Sequence, residues 1–457
     1  MIPEKFKARM QKMLGDEYEP FYRALTEGEA VRGLRINPIK CDPCDFISNS
    51  DLPITPISYY RGGYILASDA PVGNLPMHHA GIIYMQDPGA MASLGAVDIP
   101  RGARVLDACA APGGKSGQAA AAIGDEGFLV SNEYVPKRAK ITVGNFERLG
   151  IRNAAVTSLD TAVFKKLYDS YFDFVIADVP CSGEGMFRKS EEARAEWSEE
   201  NVELCADRSA TILENLATLP KPGGYIIYST CTWSIEENER VIWNFLSAHP
   251  DYSLMPVKDE LIAATADGIP YLGEESEFLH RCRRFYPHIS PGEGQFVALL
   301  CRSAEIGAKP RVLYPDRMKP LSREEDAAVK RFFEESLVAP PKGKLGKLGE
   351  NIILAPHGAP PPPPSSVFMY GVLLGELKGK TLIPSHQFFS AYGNLFKVRC
   401  ELSDDDDRLC RYLRGEEIEA LENEVGFCVI SYRGAVIGGG KASGGRIKNH
   451  YPKGLRN

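Results

Sequence analysis

The sequence predicts an α/β fold built on a doubly wound, mostly parallel sheet, and three observations carry that prediction. Between about residues 76 and 303 the strand-like segments "RVLDAC", "GFLVSNE", "AAVTSLD", "FDFVIADVP" and "GGYIIYSTC" alternate with stretches of helix length, which implies parallel strands covered on both faces. The first of these strands runs into Gly113 and Gly114, a pair that permits a tight turn and a close ligand approach before a helix begins near Lys115. Finally, a carboxylate or a thiol stands at the mouth of each of the five strands, where ligands bind in open parallel sheets.

Composition sets outer limits. At 457 residues, 44% apolar and 25% charged, the chain is ordinary in usage and long enough for two to four domains. Its first twenty residues carry charges throughout, and no later run approaches the roughly 20 apolar residues that a bilayer requires, so a cytoplasmic protein with no membrane partner is expected. The 11 cysteines follow no regular framework, which points to reduced thiols in a reducing compartment. Cys41 and Cys44 form a CxxC, but no second pair or histidine cluster completes a zinc set, and no metal site is expected. Net charge is −7, yet the distribution is uneven: Arg433, Lys441, Arg446, Lys448, Lys453 and Arg456 crowd an acid-free tail, a surface suited to a phosphate backbone.

Along the chain, residues 1–75 read as a small accessory module. Phe6, Met10, Met13 and Leu14 share a helical face, and Arg32, Arg35 and Lys40 flank a short apolar strand. Residues 76–303 hold the alternating strands and helices, with "YSLMPV" and "QFVALLC" expected to close the sheet as its last two strands. Residues 304–390 contain a helix, "SREEDAAVKRFFEESL", and a five-proline spacer at Pro360 to Pro364. Residues 391–457 read as a helix followed by a Gly-punctuated hairpin in a small β-rich terminal domain.

The strand mouths carry the candidate chemistry. The ending Gly114-Lys115-Ser116 imitates a P-loop, but Cys109 stands where that motif needs its first glycine, which disfavours a nucleotide triphosphatase. Glu133 ends the second strand 19 residues after Gly114, the spacing at which a carboxylate accepts hydrogen bonds from ribose hydroxyls. Asp160 follows the third strand, placed for an exocyclic amino group. Asp178 and Cys181 follow the fourth, and Cys231 the fifth. The expected ligand is adenosine-like, with two thiols facing it.

Three separated segments, "DACAAPGGKS", "ADVPCSGEGMFRK" and "IIYSTCTWSIEENE", resemble the signature segments of the Sun/Fmu family of RNA 5-methylcytosine methyltransferases. "MLGDEYEPF" and "GLRINPIK" resemble that family's amino-terminal RNA-binding module, and "KNHYPKGLR" resembles the PUA-like domain of the bacterial branch that modifies small-subunit ribosomal RNA. The resemblance implies a class I S-adenosyl-L-methionine-dependent methyltransferase fold flanked by an N-terminal α/β module and a C-terminal PUA-like domain. It assigns Cys109, Ala110, Ala111, Pro112, Gly113, Gly114, Lys115, Glu133, Asp160 and Asp178 to the cofactor, Cys231 to nucleophilic attack and Cys181 to adduct release. Val179 stands where the family commonly has alanine, and Glu191 where proline is usual; both bear on substrate-loop geometry.

In the implied reaction the Cys231 thiolate adds to carbon 6 of cytosine, so that carbon 5 becomes nucleophilic enough to take a methyl group. Asp178 is the candidate proton donor at N3, expected to share one proton with Cys231. The opposite assignment of the thiols, with Cys181 attacking, resembles DNA cytosine methyltransferases and stays open on sequence. The implied partner is ribosomal RNA, on its own or in an assembling small subunit, met by a monomer. Transfer RNA is the alternative substrate, and a non-catalytic RNA-binding assembly factor the alternative class. The terminal basic domain, the amino-terminal arginines and "HRCRRFYPH", with Arg281, Arg283 and Arg284 beside Phe285 and Tyr286, are the candidate RNA contacts.

Overall fold

A computed structural model describes residues 2–67, 72–420 and 425–456; the last tail residue, Asn457, lies outside them. The chain opens with helices α1 (Glu4–Leu14) and α2 (Tyr18–Thr26), whose buried side chains Phe6, Met10, Tyr18, Phe21 and Leu25 recur at helical spacing. They do not form a core of their own. Phe6 and Phe21 pack against Trp233, with Phe187, Trp197 and Tyr286 completing the cluster. Each such aromatic contact is worth about 0.5–1.5 kcal/mol beyond the area it buries.

The central sheet consists of β1 (Arg104–Asp107), β2 (Phe128–Asn132), β3 (Ala154–Thr157), β4 (Phe172–Asp178), β5 (Pro220–Thr230), β6 (Tyr252–Met255), β7 (Ala266–Asp267), β8 (Arg283–Phe285), β9 (Gln295–Arg302) and β10 (Val367–Tyr370). Their order is β7-β8-β9-β5-β4-β1-β2-β3-β10, with β6 on β9. The block from β5 to β3 is parallel, as the alternation of strands and helices requires. Order reverses between β4 and β1, so a cleft opens beyond their carboxyl ends. Leu106, Val175, Ile176 and Ile226 are fully buried, which is why these strands read as continuous apolar runs rather than alternating ones.

Three expectations change. The sheet does not stop at the "YSLMPV" and "QFVALLC" strands; β9 lies antiparallel against β5, and the sheet runs on through β8 and β7. The region after residue 303 is not separate from the sheet, because β10 follows the proline run and pairs antiparallel with β3. Pro360 and Pro361 are held there by the phenol hydroxyls of Tyr370 and Tyr314, which donate to their carbonyls at 2.5 and 2.8 Å. A division at residue 390 falls inside the helix His386–Tyr392.

The N-terminal module and the terminal β domain also share one core. Leu34, Ile36 and Tyr64 belong to the same buried cluster as Tyr412, Ile430 and Ile437. Lys40 reaches across and donates to the carbonyls of Ser390 and Val436 at 2.7 and 3.1 Å. Among the described residues no helix is long and apolar enough to cross a membrane.

Candidate active site

Strand β1 delivers Asp107 to the cleft, and the turn after it is pinned at nearly every residue. Ala110 N–H donates to Asn132 O, Gly113 N–H to Ala110 O, Arg138 to Ala111 O and Asn145 to Pro112 O. Gly113 has φ of 102°, a conformation that strains any side chain, and helix α3 (Gly114–Ile123) starts directly behind it. Ser116 on that helix donates to Asp107 at 2.6 Å. Burial pushes the Asp107 carboxyl up to about 7 against that hydrogen bond.

Cys109 lies at the centre of this mouth. Burial raises its thiol pKa, and the charges of Asp107, Asp178 and Glu133 raise it further, so it stays neutral. Three acidic side chains around one thiol make a polar mouth that fits a ligand carrying positive charge and hydroxyls. Glu133 is buried just past β2; one oxygen accepts the Val135 N–H at 2.9 Å, and Arg138 stands 3.4 Å from the other. Asp160 is exposed three residues beyond β3, and one of its oxygens caps the helix Thr161–Leu167 through Ala162 N–H at 2.8 Å.

The thiols converge. Cys181 in the loop after β4 and Cys231 at the end of β5 bring their Sγ atoms to 3.1 Å, and Cys231 N–H also points at Cys181 Sγ, at 3.3 Å. Beside them Asp178 accepts from Ser229 Oγ at 2.7 Å and pairs with the Lys115 ammonium at 2.8 Å. Lys115 is nearly buried, and desolvation, the largest single effect, lowers its pKa; the charge and hydrogen bond of Asp178, followed by the charges of Cys231 and Asp107, together raise it. Lys115 is thus a cationic partner for Asp178 that the sequence reading does not pair with it.

Two buried carboxylates that sequence reasoning missed hold the two thiol loops together. Glu237 accepts Ser182 N–H at 2.8 Å, Ser182 Oγ at 2.5 Å and Ser234 Oγ at 2.8 Å. Glu184 accepts Trp233 N–H at 2.8 Å and Trp197 Nε1 at 2.9 Å. Burial raises both, Glu237 to about 7. Their signal is acids set among serines and tryptophans immediately after strand ends, where a solvated helix start is the easier reading. The loop continues to Arg188, whose guanidinium binds Glu293 at 2.6 Å and carbonyls of Gly292 and Glu29, strapping it to the N-terminal module. Glu191 is the first residue of the helix Glu191–Glu196, where proline and an acid are both favoured, so this departure leaves the helix start intact.

Four of the expected RNA contacts lie inside the protein. Arg284 is fully buried and paired with Glu239, while Arg283 donates to Thr265, Ile262 and Asp267; Phe285 and Tyr286 are core residues. Of the three arginines in that run, only Arg281 is exposed. Of the amino-terminal cations, Arg35 is buried over the Tyr84 ring and Lys40 is the strut described above. Cys41 and Cys44 flank Asp42, which caps the short helix Pro43–Ser48.

Comparison with known proteins then shows three family models matching in chain order. They are the N-terminal domain of 16S rRNA methyltransferase RsmF over residues 2–88, 16S rRNA methyltransferase RsmB/F over residues 96–301, and the methyltransferase RsmF PUA domain over residues 400–457. The ribosomal RNA small subunit methyltransferase F of Erwinia tasmaniensis is 30% identical, covering 99% of this chain and 96% of its own length. That of Vibrio vulnificus is 29% identical over 99% and 97%. Among solved structures, a methyltransferase homolog protein from Pyrococcus horikoshii superposes with a TM-score of 0.58 at 24% identity, covering 66% of this chain and 95% of that one. NSun6 from the same organism superposes with a TM-score of 0.56 at 18% identity, over 66% and 98%. Both share the fold of this chain over the part that superposes.

Proposed function

Because the chain belongs to the 16S rRNA methyltransferase RsmB/F family, we propose that it methylates carbon 5 of a cytosine in small-subunit ribosomal RNA, using S-adenosyl-L-methionine and a covalent bond to Cys231. The observation that carries the reading is the 3.1 Å approach of two sulfurs beside the Lys115–Asp178 pair, at the rim of a carboxylate-lined mouth.

The cofactor's sulfonium supplies an electrophilic methyl group. Asp107, the turn from Cys109 to Lys115, Glu133 and Asp160 hold that molecule: the carboxylates suit its positive charges and hydroxyls, and the glycine turn lets it approach the backbone closely. Cys231 forms a bond from sulfur to carbon 6 of the cytosine, and the displaced electron pair makes carbon 5 the nucleophile. The Lys115–Asp178 pair meets N3 and supplies the hydrogen bond or proton that this electron shift requires. After carbon 5 has gained the methyl group, its proton leaves and the sulfur–carbon bond breaks, which restores the ring double bond and frees Cys231. Cys181 acts at this release step, from its place against the Cys231 sulfur.

The target base must leave its stack, at a cost of a few kcal/mol, least where it is already unpaired. The exposed cations of the terminal domain supply binding at a distance, and a monomer meets the ribosomal RNA, on its own or in a partly assembled small subunit. Three experiments test the reading. Cys181→Ser accumulates a protein–RNA adduct that persists in denaturing gels and Cys231→Ser forms none; the reverse pattern swaps the roles. Bisulfite sequencing of RNA from a strain lacking the gene shows one or more unconverted 16S cytosines becoming convertible, and naked 16S RNA compared with immature subunits in tritium transfer tests the assembly stage.

A further inference from the structure

We infer that Glu237 decides which of the two cysteines attacks: its carboxylate, anchored to the residue after Cys181, holds the proton on that sulfur and leaves Cys231, on the Lys115 side, as the nucleophile. The inference rests on the proposed role of Cys231 and adds the residue that makes the two thiols unequal.

Nothing in the cysteines themselves distinguishes them. Both are half-buried, both follow a strand, and their sulfurs touch at 3.1 Å. Their surroundings differ in charge. Glu237 is fully buried and takes both the N–H and the hydroxyl of Ser182, so a carboxylate that is anionic above about pH 7 is fixed one residue from Cys181. Across the pair, the Lys115 ammonium sits on Asp178 at 2.8 Å and is stabilised by the charge of Cys231. An anion beside one sulfur and a cation toward the other favour thiol at the first and thiolate at the second.

Cys181 is accordingly pushed well up, by its hydrogen bond with Cys231, by burial, by the charge of Cys231 and by the charge of Glu237. The Cys231 N–H aimed at Cys181 Sγ opposes this as a smaller effect. Glu184, Tyr228 and Cys205 are the other titratable groups that face Glu237, and each is neutral or negative. The Tyr228 hydroxyl is engaged with Glu237's own carbonyl at 2.5 Å. The two thiols are a coupled pair, and the fixed charges around them set which member carries the proton.

The test is competitive alkylation of the full-length protein without RNA, using limiting iodoacetamide at pH 8 and peptide mass spectrometry to apportion label between the two cysteines. Wild type should carry most of the label on Cys231. Glu237→Gln keeps an acceptor for Ser182 but removes the charge, and the ratio of label on Cys181 to label on Cys231 should rise at least about fivefold, as expected when a neighbouring anion is removed from a thiol. Glu237→Asp should stay near wild type.

An unchanged share in Glu237→Gln, with wild type labelled on Cys231, overturns the sorting role alone. Wild-type label concentrated on Cys181 overturns the nucleophile assignment and the sorting with it. Should Glu237→Gln show no cooperative melting, wild type is labelled from pH 6 to pH 9. Because Glu237 titrates at about 7, the Cys181 share should be larger at pH 6, and a flat share overturns the inference.

Discussion

The Lys115 ammonium lies 2.8 Å from the Asp178 carboxylate, one from the helix after β1 and the other from the end of β4, where the order of strands reverses. This pair joins the glycine turn after β1 to the thiol site, so in the proposed reaction removing either charge disturbs both proton supply and the electrostatics of Cys231. Asp178→Asn should lower methyl transfer by about 10²–10⁴-fold, the range for a positioned proton-transfer group. Ser229 Oγ can still donate to the amide oxygen, so the melting temperature should change little. Tritium transfer to small-subunit RNA measures the rate, and retention of more than about a tenth of it would remove Asp178 from the reaction.

Arg284 and Glu239 form a pair with side-chain exposures of 1% and 0%. Arg284 also donates to the carbonyl of Trp233 at 2.8 Å, two residues past Cys231. Glu239→Ala strands a buried guanidinium and should cost about 3–5 kcal/mol in urea unfolding, whereas Glu239→Leu combined with Arg284→Met should cost much less. A loss below about 1 kcal/mol for the single substitution would show that the pair contributes little to stability.

The strand mouths were legible in the sequence because their chemistry is local: Gly113-Gly114 before a helix, Glu133 at the right spacing and Cys231 after an apolar run each fit within a short window. Arg283 and Arg284 were not. An arginine pair beside aromatics has the same composition on a surface as in a core, and Arg284 becomes a core residue only because the fold brings Glu239 from 45 positions away. The same limit hid β10, whose partner β3 lies on the far side of the proline run. It also hid Glu237, whose role depends on a serine 55 residues earlier. The Lys115–Asp178 pair escaped for that reason too, although both residues were singled out separately.

The terminal hairpin pairs Lys441 directly opposite Lys448, with Arg446 two residues along the same strand, and all three are exposed. Like charges facing each other across a ladder are unfavourable unless an anion screens them, which favours a phosphate ligand there. Truncating the terminal domain would strip the core it shares with Leu34 and Ile36, so point substitution is the sound test. Lys441→Glu with Lys448→Glu should weaken RNA binding and reduce the slope of log affinity against log salt by about 0.7–0.9 for each lost contact. Fluorescence anisotropy at several salt concentrations measures both, and an unchanged slope would place the RNA elsewhere.

Asp107 makes stability depend on pH in a direction opposite to that of an ion-paired acid. Its folded carboxyl titrates at about 7, against 3.8 for the ordinary group, because burial penalises the charge. Between those values the folded state binds more protons than the unfolded one, so the contribution is fully present below about pH 4 and is lost as pH rises toward 7. The slope is on the order of 1.4 kcal/mol per pH unit within that window, for a total of a few kcal/mol. Glu237, also raised to about 7, acts in the same sense. In Asp107→Asn the amide has no charge to bury and can still accept from Ser116, so the stability of wild type relative to this variant should fall as pH is raised from 4 to 7 and then level off. Urea unfolding across that range measures the difference, and a difference that stays flat or grows with pH would mean that Asp107 is ionised in the folded protein at low pH.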